Sequence, residues 1–335
     1  MSSIAWRHVD VTEVVLEPGE LKYRDDRPLS DIRVADNGAV CCARRVPGFA
    51  EVVVWPDGLT AAPVSWTGSP TLSLVRIFAF DSAFAYALSD DRLLRIGPGT
   101  VETIHNASTS IRDARLSPDG GHIIWLQKTP RVRGYVAAVS ARLRPTRLLV
   151  KDYCYDVCWL TPNEILALEL HIKGDAETGQ SLHLYGTNGE LLRTVLHTED
   201  YALQFGPVLG NSRRVILFGH KVRGASGHAG AQTGAWEFGV DDAVSRCLAN
   251  ASPAGGTAAS LLDGCLFADA WAQTAHSSRL VFASPRGCRV AAVRDFLRDF
   301  ALGVDGRSIL FPVLGGSFGI AELGLKSLAA SDGAG

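Results

Sequence analysis

One phrase recurs along this chain: a polar residue, a short apolar strand, a turn built on Asp or Asn, then a second apolar strand. It is clearest as DIRVADNGAVCCA from Asp31, RDARLSPDGGHIIWL from Arg112, YDVCWLTPNEILALEL from Tyr155 and DFALGVDGRSILFPV from Asp299. DAWAQTAHSSRLVFA from Asp269 reads as a further copy, with weaker ones near Arg76 and Gln204. Turn residues then fall at Asp36, Asp81, Asp119, Asn163, Asn211, His276 and Asp305, a mean spacing of about 45 residues, the period of a four-stranded propeller blade. A tight hairpin needs residues that accept a positive φ, which is why Asp, Asn and Gly mark these points.

The runs are short, β-branched and bounded by Gly, Pro, Asn and Asp, and the 3.6-residue helical period is missing. The fold class is therefore all-β: a β-propeller of seven blades, with six or eight as alternatives. Third strands are expected at 51–55, 135–139, 181–186, 235–240 and 289–293, and fourth strands at 146–150, 191–196 and 243–248. The interval from Asn211 to His276 is long and the next is short, so blade 5 is expected to carry an insertion and blade 6 to lack a full fourth strand. The last copy offers about three strands. An N-terminal strand, VTEVVLE at 11–17, is expected to supply the fourth and close the ring, which removes a free sheet edge. Residues 1–326 are read as one domain and 327–335 as a mobile tail.

At its Pro-Asp-Gly hairpin (118–120) the chain resembles the bacterial TolB-like propellers and the propeller that caps prolyl oligopeptidases. The resemblance covers nearly the whole chain and implies fold alone. No Trp-Asp dipeptide or Gly-His start marks a WD repeat, and the resemblance does not carry peptidase activity over. Virginiamycin B lyase is similar only as a bacterial propeller; none of its catalytic motif matches.

The formal charge of −2 is spread over mixed acids and bases, with no Arg stripe interleaved with aromatics, so nucleic acid is not expected as a partner. No window supplies the roughly 18 apolar residues of a membrane helix. The opening MSSIAWRHVD is charged where an export signal is apolar, which points to the cytoplasm. Arginine outnumbers lysine and Ala and Gly abound, a bacterial, GC-rich signature. The odd count of seven cysteines fits free thiols. Cys154 and Cys158 share a face if the strand alternates strictly, and read as a buried pair rather than a metal or redox site.

In a propeller the innermost strand, A, starts on the face that carries the loops between strands B and C. The A-strand starts therefore ring the channel mouth. They hold Asp31, Arg76, Arg112, Asp113, Tyr155, Asp156, Gln204, Asp269, Trp271 and Asp299. The plain structural role for such residues is to bond backbone N–H groups of neighbouring blades or channel water. The B–C loops lengthen through blades 3–5, from KTPRVRG to HIKGDAETGQS to HKVRGASGHAGAQTG, and so should form a rim on one side of the mouth. They bring in His171, Lys173, His220, Lys221, Arg223 and His228, of which His228 reads as plain surface. His105, His183 and His197 read as packing or surface residues away from this rim.

The expected function is binding of a small molecule at the mouth, with lyase, cyclase or hydrolase chemistry in bacterial specialised metabolism. Asp113, Asp156 and Asp269 would orient or deprotonate the ligand and Arg112 would hold an anionic group. Trp271 would form an apolar wall, while His171 or His220, facing Asp113 or Asp156, would shuttle the proton. Asp31, Arg76, Tyr155, Gln204 and Asp299 complete the ligand-binding set. No cofactor is expected. A divalent metal on two histidines and carboxylates is the weaker alternative, since no fixed ligand spacing supports it. The alternative function is a non-enzymatic scaffold that grips a protein partner on the same face; a lectin would want the same site in every blade.

Overall fold

Three hairpins of the recurring phrase are turned by a side chain that takes the place of a backbone acceptor. Asn37 Oδ1 accepts from the N–H of Ala39 at 3.1 Å, Asp119 Oδ1 from Gly121 at 3.0 Å and Asp305 Oδ1 from Arg307 at 2.9 Å. The glycine that follows each acceptor sits in the left-handed region, with φ of 86° at Gly38, 67° at Gly120 and 62° at Gly306. Three turns 80 or more residues apart thus share one mechanism.

The computed structural model describes residues 4, 7–16, 19–66, 72, 75–128, 135–141, 147–173, 176–210, 212–221, 233–251, 253–261, 264–269, 278–293, 299–313 and 318–326. They form a seven-bladed β-propeller of antiparallel sheets. From the channel outward, blade 1 is Leu29–Val34, Val40–Val46, Phe49–Trp55 and Val64–Ser65; blade 2 is Arg76–Phe80, Ala85–Ser89, Arg92–Gly97 and Thr100–Asn106. Blade 3 begins with Ile111–Leu116, His122–Lys128 and Tyr135–Ala141. The long strand Arg147–Thr161 first pairs with Tyr135–Ala141 as the outer strand of blade 3. It then turns at Tyr153 (φ 56°) and becomes the inner strand of blade 4. Glu164–Lys173, Ala176–Gly186 and Leu191–Thr198 complete blade 4, and Tyr201–Val208, Arg214–Lys221, Thr233–Gly239 and Ser245–Ala249 make blade 5. The inner strands of blades 1 to 6 pack on one another in turn, and that of blade 7 packs on that of blade 1.

Two sequence expectations need correction here. Blade 6 starts earlier than the phrase at Asp269 suggests. Its inner strand is Pro253–Leu261 and its second is Gly264–Asp269, followed by Ser278–Ser284 and Gly287–Val293. The fourth strand expected to be missing is Gly287–Val293, and the irregular spacing around blade 5 came from this misphasing. Closure also uses a different segment. Blade 7 is Ala301–Leu302, Ser308–Val313 and Phe318–Gly324, and its outer strand is Glu20–Asp25, antiparallel to Phe318–Gly324. Val11–Val15 instead lies parallel on Gly287–Val293 as a fifth strand of blade 6. The ring is closed by an N-terminal strand as expected, one strand later in the chain.

Closure is fastened to blade 1 by two side chains on one face of that strand. Tyr23 meets Trp55 edge-on with centroids 4.9 Å apart, and the Asp25 carboxylate receives Arg44 at 3.3 Å. Between blades the core is apolar and aromatic. Leu166, Leu168, Leu182 and Leu184 of blade 4 pack on Leu217, Trp236 and Phe238 of blade 5, and Phe218 meets Phe267 of blade 6 edge-on at 4.9 Å. Among the described residues no helix is long and apolar enough to cross a membrane. The tail at 327–335 lies outside the described residues, as do Trp271 and the loop segments 129–134, 174–175 and 222–232.

Candidate functional site at the channel mouth

The inner strands carry an irregularity at the same height in successive blades. Register skips between Ile77 and Ala79, Ile111 and Asp113, and Cys154 and Asp156, leaving Phe78, Arg112 and Tyr155 unpaired as bulged residues. In blade 1 the skip spans Asp31 and Ile32. A bulge adds one residue to the strand and re-aims its side chain, so Asp31, Arg112 and Tyr155 occupy related places on the mouth. The bulge also breaks alternation. Cys154 packs with Ile124, Val157 and Trp159 toward blade 3, whereas Cys158 packs with Leu160 and Leu166 toward blade 5. The two thiols therefore lie on opposite faces, contrary to the spacing argument. Burial pushes both thiols up, away from thiolate chemistry.

Two of the mouth aspartates are tied to the next blade. Asp156 is buried; its Oδ1 accepts from Val157 N at 2.8 Å and its Oδ2 from Phe205 N of blade 5 at 2.7 Å. Asp299 Oδ2 accepts from Ile32 N of blade 1 at 2.8 Å. Each thus satisfies a donor on the adjacent inner strand, the structural role open to such residues. Gln180 repeats the device from a third strand, with its Oε1 receiving Leu203 N at 2.7 Å.

Two arginines absent from the sequence-based set complete these links. Arg33 Nη1 lies 3.3 Å from Asp299 Oδ1, and Arg115 lies 3.1 Å from Asp156 and 3.6 Å from Asp113. Burial opposes the charge of Arg115, but the carboxylates of Asp156 and Asp113 outweigh it and raise its pKa. Burial likewise raises Asp156, against the pull of Arg115. The signal was present: blades 1 and 3 both read Asp-x-Arg, and residues two apart on a strand share a face.

Asp31 differs from its counterparts. Its backbone is left-handed, with φ 54°, and burial, reinforced by the charge of Asp299 and opposed by Arg33, pushes its pKa up to about 6. Its side chain accepts from Ser30 Oγ at 3.3 Å. Arg76 and Arg112, both exposed, continue the arc. Arg76 Nη2 donates to the carbonyl of Arg112. Arg112 Nη1 donates to the carbonyl of Tyr155 at 3.3 Å, with its guanidinium 5.2 Å from the Tyr155 ring centroid. Gln204 is half-buried on the inner strand of blade 5.

The remaining candidates fall elsewhere. Asp269 ends the second strand of blade 6, opposite Pro253, so it is on the mouth side but one strand farther from the axis. His171 and His220 lie near the ends of the second strands of blades 4 and 5, which finish at Lys173 and Lys221, so both B–C turns open on the mouth face. His220 is exposed. The ring of His171 does not engage Asp113 or Asp156. Its Nε2 is 2.8 Å from Ser181 Oγ, and it packs on His197 with centroids 4.9 Å apart, turned along blade 4 away from the axis. Among the described residues no three His, Cys, Asp or Glu side chains gather as a metal site.

No protein-family model matches this chain, and no curated protein does. Solved structures match over most of it. The hydrazine synthase of Kuenenia stuttgartiensis aligns with a TM-score of 0.62 at 10% identity, covering 87% of this chain and 94% of that one. An oligogalacturonate lyase in complex with manganese aligns at 0.61 and 11%, covering 91% and 90%. The C-terminal WD40 domain of Sif2 aligns at 0.51 and 10%, covering 93% and 99%. At these identities the likeness shows the fold alone, and proteins of unlike chemistry share it.

Proposed function

We propose that this propeller binds a small anionic molecule at its channel mouth and exchanges a proton with it through Asp31. The observation that carries this reading is the state of Asp31: a carboxylate with a pKa of about 6 on a left-handed backbone, outside the blade-to-blade bonds that employ Asp156 and Asp299. Backbone strain together with a carboxylate poised near neutrality is a signature of functional residues rather than of packing. Near pH 6 both protonation states are populated, so Asp31 serves as base or acid. Arg76 and Arg112, on the next two blades, supply adjacent guanidiniums, the groups best suited to a carboxylate or phosphate. Tyr155 bounds the arc. Removing a proton beside a bound anion is a step shared by lyase and cyclase reactions, and this is the chemistry assigned to the mouth. Asp156 and Asp299 hold the inner strands in place around it.

The test is calorimetric titration with mono- and dicarboxylates, sugar phosphates and oligogalacturonate, the last because the like-folded lyase is named for it. Arg76→Ala and Arg112→Ala should each weaken anion binding about tenfold. Asp31→Asn should leave affinity within about threefold while removing turnover and the pH limb near 6. Binding that is indifferent to both arginines would sink the proposal.

A further inference from the structure

We infer that the N-terminal segment 4–16 is a strap that opens and closes as one unit on a ring already complete without it. Blade 6 has four strands of its own, and Glu20–Asp25 completes blade 7. Val11–Val15 adds a fifth strand to blade 6, in parallel. What the segment brings is an apolar side chain for each seam that it passes. Ile4 belongs to the core cluster between blades 4 and 5, Val9 packs on the one between blades 5 and 6, and Leu16 belongs to the one between blades 6 and 7. Tyr23 of the closing strand packs on the next, between blades 7 and 1. An extended chain advances about 3.3 Å per residue, so each step from one anchor to the next covers at most about 17–23 Å.

Between the first two anchors and the strand, one side chain does the work of a strand edge. Asn250 follows the outer strand of blade 5. Its Oδ1 accepts from Val9 N at 2.7 Å, and its Nδ2 donates to the Arg7 carbonyl at 2.8 Å. The C=O of one residue and the N–H of the second residue after it lie on the same edge of an extended chain, so a single amide answers both. Cys247 Sγ donates to the same carbonyl at 3.6 Å.

The strap is held less firmly than the sheets beneath it. Ile4 and Leu16 are buried, but Val11, Thr12 and Glu13 are exposed and Val14 is half-buried. A segment with few buried side chains, at the edge of a sheet, opens at a smaller free energy than the core strands. Its anchors lie in different seams on one continuous chain. An anchor lost leaves the others to bear the whole entropy of ordering that chain, so they let go together. Closed, the strap bridges blades 4 to 7 from outside; open, it leaves the four-stranded blades and the closing strand in place. The device is separate from the Asp31 arc.

Hydrogen exchange of the full-length protein, read by mass spectrometry, tests this. Amides across 9–15 should exchange together and at least about tenfold faster than those of Ser278–Ser284, the third strand of blade 6. Asn250→Ala removes two hydrogen bonds to the strap and should speed exchange across all of 9–15 about tenfold, with Glu164–Lys173 of blade 4 unchanged. Leu16→Ala should do the same from the other end, reaching Val9 seven residues away. Acceleration confined to the end nearest each substitution, or exchange across 9–15 no faster than in Ser278–Ser284, would overturn the inference. If Leu16→Ala fails to fold, Asn250→Ala decides, by whether its effect extends to Val14 and Val15.

Discussion

Replacing Asp31 with Asn should make the protein more stable at neutral pH. In the folded chain the carboxyl holds its proton up to about pH 6, against an ordinary value of 3.8. Between those two values the folded state binds more protons than the unfolded one, so stability falls as pH rises through the window, and the full cost is present above it. At about 1.4 kcal/mol for each pH unit, the displacement amounts to at most about 3 kcal/mol at pH 7. Asparagine has the same shape, carries no charge and tolerates the positive φ of 54° at this position. The substitution therefore removes the electrostatic cost without adding backbone strain. For 335 residues the unfolding entropy is about 0.7 kcal/mol per degree, so the gain corresponds to a Tm about 4 °C higher. Thermal scans of both proteins from pH 4 to pH 7.5 measure it. The difference should be largest at the upper end and shrink below about 1 kcal/mol at pH 4. A variant no more stable than wild type at pH 7, or a difference that does not change with pH, would refute the account of Asp31.

Asp156→Ala should act in the opposite sense. It leaves the Phe205 N–H without its acceptor and removes one of two carboxylates from Arg115, costing about 3–5 kcal/mol in denaturant unfolding; Asp156→Asn, which keeps an acceptor, should cost about half. Equal losses for the two would mean that charge alone matters there. Gly319→Ala should loosen ring closure, because an added Cβ would run into the Tyr23 carbonyl of the closing strand. A loss of about 1–3 kcal/mol is expected, with hydrogen exchange accelerated along Glu20–Asp25; unchanged exchange there would count against this strand as the closure.

The parts of the fold legible in the sequence are those whose physics is local. An Asn or Asp that accepts the N–H two residues on, before a left-handed glycine, can be read anywhere, and it phased blades 1, 3 and 7. Blade 6 was misphased because its inner strand, PAGGTAASL, is built from small residues without the branched side chains that usually mark a strand. The Asp-Gly pair at 263–264, directly before CLFAD, was the usable signal. The closing strand ELKYRD was passed over for a related reason. As the outermost strand it alternates between exposed and half-buried positions and carries charges, two of which pair with Glu322 and Arg44. Its identity is set by the partner it closes against, which no local pattern encodes. VTEVV looks more like a strand and is one, but it pairs in parallel at the edge of blade 6.

The channel mouth was legible as a set of positions, and what each side chain meets there was not. Alternation along the inner strand predicts which residues reach the mouth. The bulges at Phe78, Arg112 and Tyr155 shift that alternation and are invisible without the partner strand. Roles then depend on what each carboxylate meets across the blade boundary. Asp31 and Asp113 occupy the same place in the Asp-x-Arg phrase. Asp113 accepts from the backbone N–H of Ala114 at 3.0 Å and shares Arg115 with Asp156. The arginine of blade 1 reaches instead to Asp299 at 3.3 Å, whose charge raises Asp31 further. The same three-residue phrase thus yields an aspartate that shares an arginine with its neighbour in one blade and one whose pKa burial raises in another. The arginine of the phrase is drawn forward to the next blade in Arg115 and back to the preceding one in Arg33. A repeat can in this way set one aspartate apart electrostatically while the blade-locking bonds of Asp156 and Asp299 are kept in other blades.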